Sequence, residues 1–133
     1  MLRPKREGEL KAAAMDELST QCPTFLVLLQ ATAGAPDRAI VGNGKTSWLE
    51  FKHATPEFES PGNQELMCMR LALQGYCRYV IWQEGARGYG QRTLIVHPRE
   101  VHQRTSWKVI PEVYCMGYDH RWLVRFIQKV HGL

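Results

Sequence analysis

Residues 34–52 read GAPDRAIVGNGKTSWLEFK, and this stretch decides the fold because its centre predicts a β-hairpin with a defined register. Asn43-Gly44 is flanked by two runs of strand-forming residues. The Asn-Gly dipeptide is the strongest short hairpin signal, since both central residues of a type I′ turn need positive φ. With these two residues as the loop, Gly42 pairs with Lys45, and every later pair of the two strands follows from that one.

The same register, continued to the open end of the hairpin, places Asp37 directly opposite Glu50. Directly opposed residues have Cβ atoms about 4.5–5.5 Å apart on one face. Lys52 lies two residues beyond Glu50 and projects from that face as well, whereas Phe51 points the other way. Two carboxylates at this spacing repel each other unless a cation neutralises them. The sequence therefore predicts a metal site at this place.

Carboxylate oxygens on a rigid hairpin suit Mg²⁺ or Mn²⁺ better than zinc. Such an ion can lower the pKa of a bound water and neutralise charge on a phosphoryl oxygen. The backbone carbonyl of Phe51 is a further candidate ligand. The alternative interpretation is that Lys52 pairs with Glu50 across a solvated strand end, as most isolated E-x-K patterns do. The combination of P-D, a register-defining turn and E-x-K on the facing strand favours the catalytic interpretation.

The 133 residues are 44% hydrophobic and 23% charged, which predicts one domain over residues 1–133, with a mobile basic leader over 1–6. No apolar signal region follows that leader, and the longest apolar run, Phe25–Leu29, is too short to span a bilayer. We therefore expect an intracellular protein without membrane contact. Its net charge of +4 suits a polyanionic partner. The four cysteines form no C-x-x-C pair, so we expect reduced, mostly buried thiols rather than a zinc site.

Helix and strand patterns flank the hairpin and predict an α/β fold with a mixed central sheet flanked by helices. The expected elements are a helix over 7–19, a central strand over 24–30, the hairpin over 38–52, a helix from Ser60-Pro61 to 74, strands over 77–83 and 92–97, and a helix over 120–131 capped by Asp119. Residues 99–118 are expected to be irregular. The expected buried stripes are Leu10, Ala14 and Leu18, then Leu66, Met69 or Arg70, and Leu73, and finally Trp122, Phe126 and Val130, with Arg121, Arg125 and Lys129 on another face.

The pair Pro36-Asp37 followed by Glu50-Phe51-Lys52 resembles the signature of the PD-(D/E)XK nuclease superfamily. The wider pattern combines G-x-P-D, a W-x-E-x-K strand and Gln64 at the opening of the next helix. It is similar to the virus-type replication-repair nuclease family (VRR-NUC). The resemblance covers about residues 7–83 in element order and is strong over 34–75.

The resemblance implies a restriction-endonuclease-like fold and DNA cleavage that depends on Mg²⁺ or Mn²⁺. It implies that Asp37 and Glu50 are metal ligands, that Lys52 is the catalytic lysine, and that Gln64 lies beside the site and takes part in catalysis. No nucleotide cofactor is expected, since the chain has no glycine-rich phosphate loop of the G-x-x-x-x-G-K-[ST] type.

An acidic residue of the first helix belongs to the same implied set of metal ligands. Glu9 is the residue we predict for this role, and Glu7 and Glu17 are the alternatives on the same helix.

DNA contacts are expected in the family-specific C-terminal part, residues 84–133, where basic residues alternate with aromatic ones that can stack on bases. The candidate contacts are Arg87, Arg92, Arg121 and Arg125. The resemblance favours branched or Holliday-junction DNA in replication, repair or recombination. Since one domain has a single metal site, symmetric cutting of two strands needs a homodimer. The alternatives are a flap or single-strand nuclease, a catalytically silent nucleic-acid-binding subunit that retains the fold, and a hydrolase of small phosphorylated substrates.

Overall fold

The computed structural model describes residues 7–30, 32, 34–54, 62–85, 90–101 and 109–133. This part of the chain forms a mixed α/β fold with three α-helices and a six-stranded mixed sheet. The helices are α1 (Glu7–Gln21), α2 (Gly62–Gln74) and α3 (His120–Val130). The strands are β1 (Leu26–Leu29), β2 (Arg38–Gly42), β3 (Lys45–Ala54), β4 (Tyr76–Gln83), β5 (Arg92–Val96) and β6 (Val113–Met116).

The strands lie in the sheet in the order in which they follow one another along the chain. Only β3 and β4 are parallel, and α2 makes the connection between them, whereas all other neighbours are antiparallel. The predicted mixed sheet is confirmed, and so is the predicted order of helix, strand, hairpin, helix and strand over 7–83. The expected leader over 1–6, the helix start at Ser60-Pro61 and Arg87 lie outside the described residues.

The hairpin of β2 and β3 has the predicted turn and register. Asn43 has φ 53° and Gly44 has φ 75°, so both central residues adopt the positive φ that this turn requires. Gly42 pairs with Lys45, and the ladder continues as far as the pair of Arg38 with Leu49.

One face of the sheet, called here the α1–α3 face, is covered by the first and last helices. Its core includes Leu10, Ala14 and Leu18 of α1, which are buried as the sequence predicts. They belong to one cluster with Phe51 of β3 and Trp82 of β4, whose rings stack 5.4 Å apart. The end of β3 is therefore held against the helices through an aromatic pair.

The opposite face, called here the α2 face, has a separate core beneath the second helix. Cys68 of α2 packs there with Tyr79 and Ile81 of β4. Because side chains alternate along a strand and Phe51 faces α1, Glu50 and Lys52 project toward the α2 face.

The strand predicted over 24–30 is shorter, and its predicted central position is wrong. β1 lies at the edge of the sheet, and Leu26, Leu28 and Leu29 are 57%, 43% and 75% exposed. An apolar run indicates a strand but not its place in the sheet. Here the sheet follows chain order, so the first strand has a neighbour on one side only.

The predicted apolar stripe of α2 is also wrong. Leu66 and Leu73 are exposed, whereas Cys68 is buried in the core of the α2 face and Leu71 and Ala72 pack against that core. The helix is apolar on two sides, and its packing on β4 selects the side with the smaller residues.

The predicted stripe of α3 is out of register by about one residue. Trp122 and Phe126 are only partly buried against the core. The fully buried side chains are Leu123, Val124 and Ile127. Because α3 packs against α1 as well as the sheet, its inner side is centred on these residues. Asp119 caps the helix as predicted, accepting hydrogen bonds from the backbone N–H groups of residues 121 and 122.

Residues 99–118 were expected to be irregular, and this expectation is wrong for the described part. They include the end of a 3-10 turn, Pro98–Glu100, and the whole of β6, which pairs with β5. Val113, Tyr114 and Met116 of this edge strand are exposed. A strand that buries so little lacks the apolar alternation by which strands are recognised in sequence.

The four cysteines are free and three of them are buried, as the sequence predicts. None of the described helices is long and apolar enough to cross a bilayer.

The hairpin turn is held by His131, a contact that no sequence pattern predicted. The His131 ring is fully buried and stacks at a tilt on Phe25. Its Nδ1 donates to the carbonyl oxygen of Gly42 at 2.8 Å, and its Nε2 lies 2.8 Å from Ser47 Oγ. Asn43 Nδ2 donates to the His131 carbonyl oxygen. The side chain thus connects both strands of the hairpin to the end of α3.

We expect His131→Ala to lower the free energy of unfolding by about 2–4 kcal/mol, because it leaves a buried carbonyl and a buried hydroxyl without their partner and removes a packed ring. Leu133→Ala, at a residue that is 62% exposed, is the control and should change it by no more than about 0.5 kcal/mol. Urea unfolding followed by tryptophan fluorescence measures both. Equal stability of the two variants would contradict the role given to His131.

Candidate metal centre

Asp37 and Glu50 meet at the open end of the hairpin, one step beyond the last pair of the β2–β3 ladder. The backbone N–H of Asp37 donates to Glu50 Oε1 at 3.0 Å. In return, the backbone N–H of Phe51 donates to Asp37 Oδ2 at 3.0 Å. Each carboxylate is therefore bound by the backbone of the facing segment, and the two lie across from each other as the register predicts.

The local sequence explains why the Phe51 N–H is bound by the Asp37 carboxylate and not by a backbone carbonyl of β2. Gly34 has φ 82° and Pro36 is buried, and together they turn the chain just before β2. As a result β2 begins only at Arg38, and Phe51 has no partner strand on this side. The Asp37 carboxylate fills that position and satisfies the N–H group.

Glu50 is the buried member of the pair, with 4% of its side chain exposed. Burial, and then the nearby Asp37 carboxylate, raise the pKa of Glu50 to about 7, although Lys52 partly opposes the rise. Near neutral pH, without a metal ion, this carboxyl is therefore partly protonated. A buried carboxyl of this kind does not fit the alternative of a solvated strand end.

Lys52 lies beside Glu50 on the α2 face, with its Nζ 3.4 Å from Glu50 Oε2. About a fifth of the lysine side chain, 22%, remains exposed. The Lys52 side chain is therefore paired with the buried carboxylate and still partly open to solvent.

A second lysine, which no sequence pattern indicates, reaches the site from α1. Lys11 Nζ lies 3.8 Å from Asp37 Oδ2 and 6.0 Å from the centroid of the Phe51 ring. In the sequence this residue has the appearance of any solvated helix lysine between acidic residues. Only the packing of α1 over β3 brings it to Asp37.

The donor atoms present fit Mg²⁺ or Mn²⁺. In proteins Mg²⁺ commonly uses one or two carboxylates and keeps several waters. Asp37 and Glu50 supply the carboxylates. The N–H and C=O of one strand residue point to the same side. The Phe51 carbonyl therefore points to the side on which its N–H meets Asp37, in line with its predicted role as a ligand.

No third acid joins the pair among the residues that the structure describes, where no group of three or more His, Cys, Asp and Glu side chains is arranged to hold a metal. Glu9, the predicted first-helix ligand, is exposed. Glu17 accepts a hydrogen bond from Gln21, one turn further along α1. The side chain of Glu7, the third possibility, lies outside the described residues, although its backbone begins α1 one turn before Lys11.

The other predicted site residues lie in three different surroundings. Gln64 is half-buried in the first turn of α2. Arg92 is buried rather than exposed, and donates two hydrogen bonds to Gln83 Oε1. Arg121 and Arg125 are exposed on α3, hence on the α1–α3 face and not on the face of Glu50.

His53, next to Lys52, faces away from the carboxylates. Its Nε2 lies 3.2 Å from Glu84 Oε1 and 3.4 Å from the Tyr118 hydroxyl. These contacts agree with the alternation of side chains along β3.

No protein-family model matches the sequence, and no curated protein is significantly similar to it.

The raised pKa of Glu50 predicts that Glu50→Gln stabilises the metal-free protein at alkaline pH. The folded carboxyl titrates near 7 and the unfolded one near 4.5, so ionisation opposes folding once the pH exceeds the lower value. The full difference corresponds to about 3 kcal/mol. In chelator at about pH 8, Glu50→Gln should therefore raise the free energy of unfolding by about 1–3 kcal/mol, and the gain should disappear near pH 4.5.

Glu17→Gln, on the outer side of α1, is the matched control and should have little effect at either pH. Denaturant unfolding of the three proteins at the two pH values makes the comparison. A gain that does not depend on pH would contradict the electrostatic explanation.

Proposed function

We propose that this protein is a Mg²⁺- or Mn²⁺-dependent nuclease that hydrolyses phosphodiester bonds of DNA, built on a restriction-endonuclease-like core. The observation that carries the proposal is the pair formed by Asp37 and the buried Glu50 across the open end of the hairpin, with Lys52 beside it. Burial and the Asp37 carboxylate raise the pKa of Glu50 even with Lys52 beside it, so the ionised form of Glu50 is disfavoured, and a divalent cation would stabilise it.

The order of elements supports the same proposal. A helix, a strand, a hairpin, a helix and a strand follow one another over 7–83, which is the order that the resemblance to the PD-(D/E)XK superfamily implies. The residues of the P-D and E-x-K motifs meet at a single place although 13 positions separate Asp37 from Glu50. Two motifs that form one cluster support a shared role better than either does in isolation.

The chain's own residues account for positioning and charge. The N–H groups of Asp37 and Phe51 orient the two carboxylates toward each other. When bound, the divalent ion supplies positive charge that stabilises the anionic transition state of phosphodiester hydrolysis. Lys52 holds an ammonium next to Glu50, where it attracts a phosphate that bare carboxylates would repel.

The proposed substrate is branched or junction DNA, and the proposed assembly is a homodimer that presents two such sites. The net charge of +4 supports binding of a polyanion. The exposed Arg121 and Arg125 are proposed as contacts to a part of the DNA away from the bond that is cut, because α3 covers the face opposite to Glu50.

Fluorescent four-way-junction, flap, duplex and single-stranded DNA, each incubated with Mg²⁺, Mn²⁺ or chelator, test the proposal. We expect cleavage only with a divalent ion, and most efficiently for the junction. Asp37→Asn and Lys52→Met should each reduce the rate by at least about 100-fold, because each removes charge that acts on the transition state. Asp16→Asn and Lys45→Met change the same charges at exposed positions of α1 and of the hairpin turn and should retain the rate.

Tight binding of DNA without cleavage under any of these conditions would favour the silent binding subunit. Cleavage that survives Asp37→Asn would show that the site is wrong. A preference for the flap or single strand would keep the chemistry and change the substrate. Sedimentation of the protein with and without a junction measures whether the cutting species is a dimer.

A further inference from the structure

Lys11 enters the candidate metal centre from the side opposite to Lys52. Its helix covers the α1–α3 face, and its ammonium passes over the Phe51 ring to end 3.8 Å from Asp37 Oδ2. Only 17% of the Lys11 side chain is exposed. The Lys11 side chain is therefore mostly buried, and its ammonium lies at ion-pair distance from the Asp37 carboxylate.

The two lysines divide the two carboxylates between them. Lys11 lies at Asp37 and Lys52 lies at Glu50, each at ion-pair distance. The distance of 3.8 Å from Lys11 Nζ to Asp37 Oδ2 exceeds that of a short charge-assisted hydrogen bond, which is about 2.7–2.9 Å. The Lys11 contact is thus an ion pair without tight directional bonding, and a small shift of a flexible side chain separates it.

We propose that Lys11 is an internal counter-ion of Asp37, which a divalent cation displaces when it enters the site. This inference rests on the metal site proposed above. Lys11 is then a positioning residue: it neutralises Asp37 in the metal-free protein, and it weakens the binding of any cation that takes its place.

The direction in which loss of the Lys11 charge changes the affinity for a divalent cation follows from charge alone. Removing the ammonium removes its repulsion of the incoming cation and frees Asp37 from a competing positive charge, and both changes tighten metal binding. Near a protein surface, an interaction of unit charges about 4 Å apart is large enough to change a binding constant by more than about tenfold. A merely structural role for Lys11 predicts the reverse, since a disturbed site binds metal less tightly.

The experiment measures Mn²⁺ binding to the full chain by calorimetry at about pH 8 and constant ionic strength. Lys11→Met keeps the length and apolar stem of the side chain and removes the charge, and Lys11→Gln is a second neutral variant of different polarity. For both variants the dissociation constant for Mn²⁺ should be lower than that of the wild type by a factor of about ten or more. Lys11→Arg retains the charge and should stay within about threefold. Lys129→Met removes a charge from the exposed side of α3 and should have no effect.

Equal or weaker Mn²⁺ binding by both neutral variants, with unfolding transitions like that of the wild type, would overturn the inference and leave the metal site standing. Asp37→Asn tests the metal site separately from the role of Lys11. If this variant binds Mn²⁺ as the wild type does, the metal site itself is wrong, and the role of Lys11 is wrong with it.

Discussion

Two hydrogen bonds, from the Asp37 N–H to Glu50 and from the Phe51 N–H to Asp37, determine the geometry of the candidate site. The regular β2–β3 pairing stops at Arg38, where β2 begins. Beyond that point, the carboxylates of Asp37 and Glu50 take the place of backbone carbonyls and extend the pairing by one step. A slip of one residue in the hairpin would turn Glu50 toward the α1–α3 face and break both bonds. The turn that sets the register and the cluster that would bind a metal are therefore one constraint.

The parts of the fold that were predictable are those whose signals are local. Asn43-Gly44 favours the positive φ angles that its own turn requires. On α1, the buried residues Leu10, Ala14 and Leu18 are spaced four apart, as expected for one side of a helix. The errors concern how elements lie against each other. Leu29 and Leu73 are as apolar as any core residue, yet both are exposed, because the sheet order and the packing of α2 depend on residues far away in the chain.

The same distinction applies to the site. Asp37, Glu50 and Lys52 follow from the register of one hairpin, and the structure brings them together. Lys11 depends on the path of α1 across the sheet, which no pattern in the helix specifies. Glu9 and Gln64 are predicted from the family resemblance and not from the register; Glu9 is exposed on α1, and Gln64 is partly buried in the first turn of α2.

His131 bonds to Ser47, 84 positions earlier in the chain, and this separation affects the order of folding. A hairpin closes within about 1–10 μs because its strands are adjacent in sequence. The contact with His131 closes a far longer loop, whose closure costs more chain entropy, so we expect it to form after the hairpin. The turn is therefore favoured by its own residues, Asn43 and Gly44, and then stabilised by His131 from a distant part of the chain. We expect refolding chains to acquire the hairpin before the His131 ring is buried against its turn, so that forming the turn and fixing it to the end of α3 are separate steps of folding.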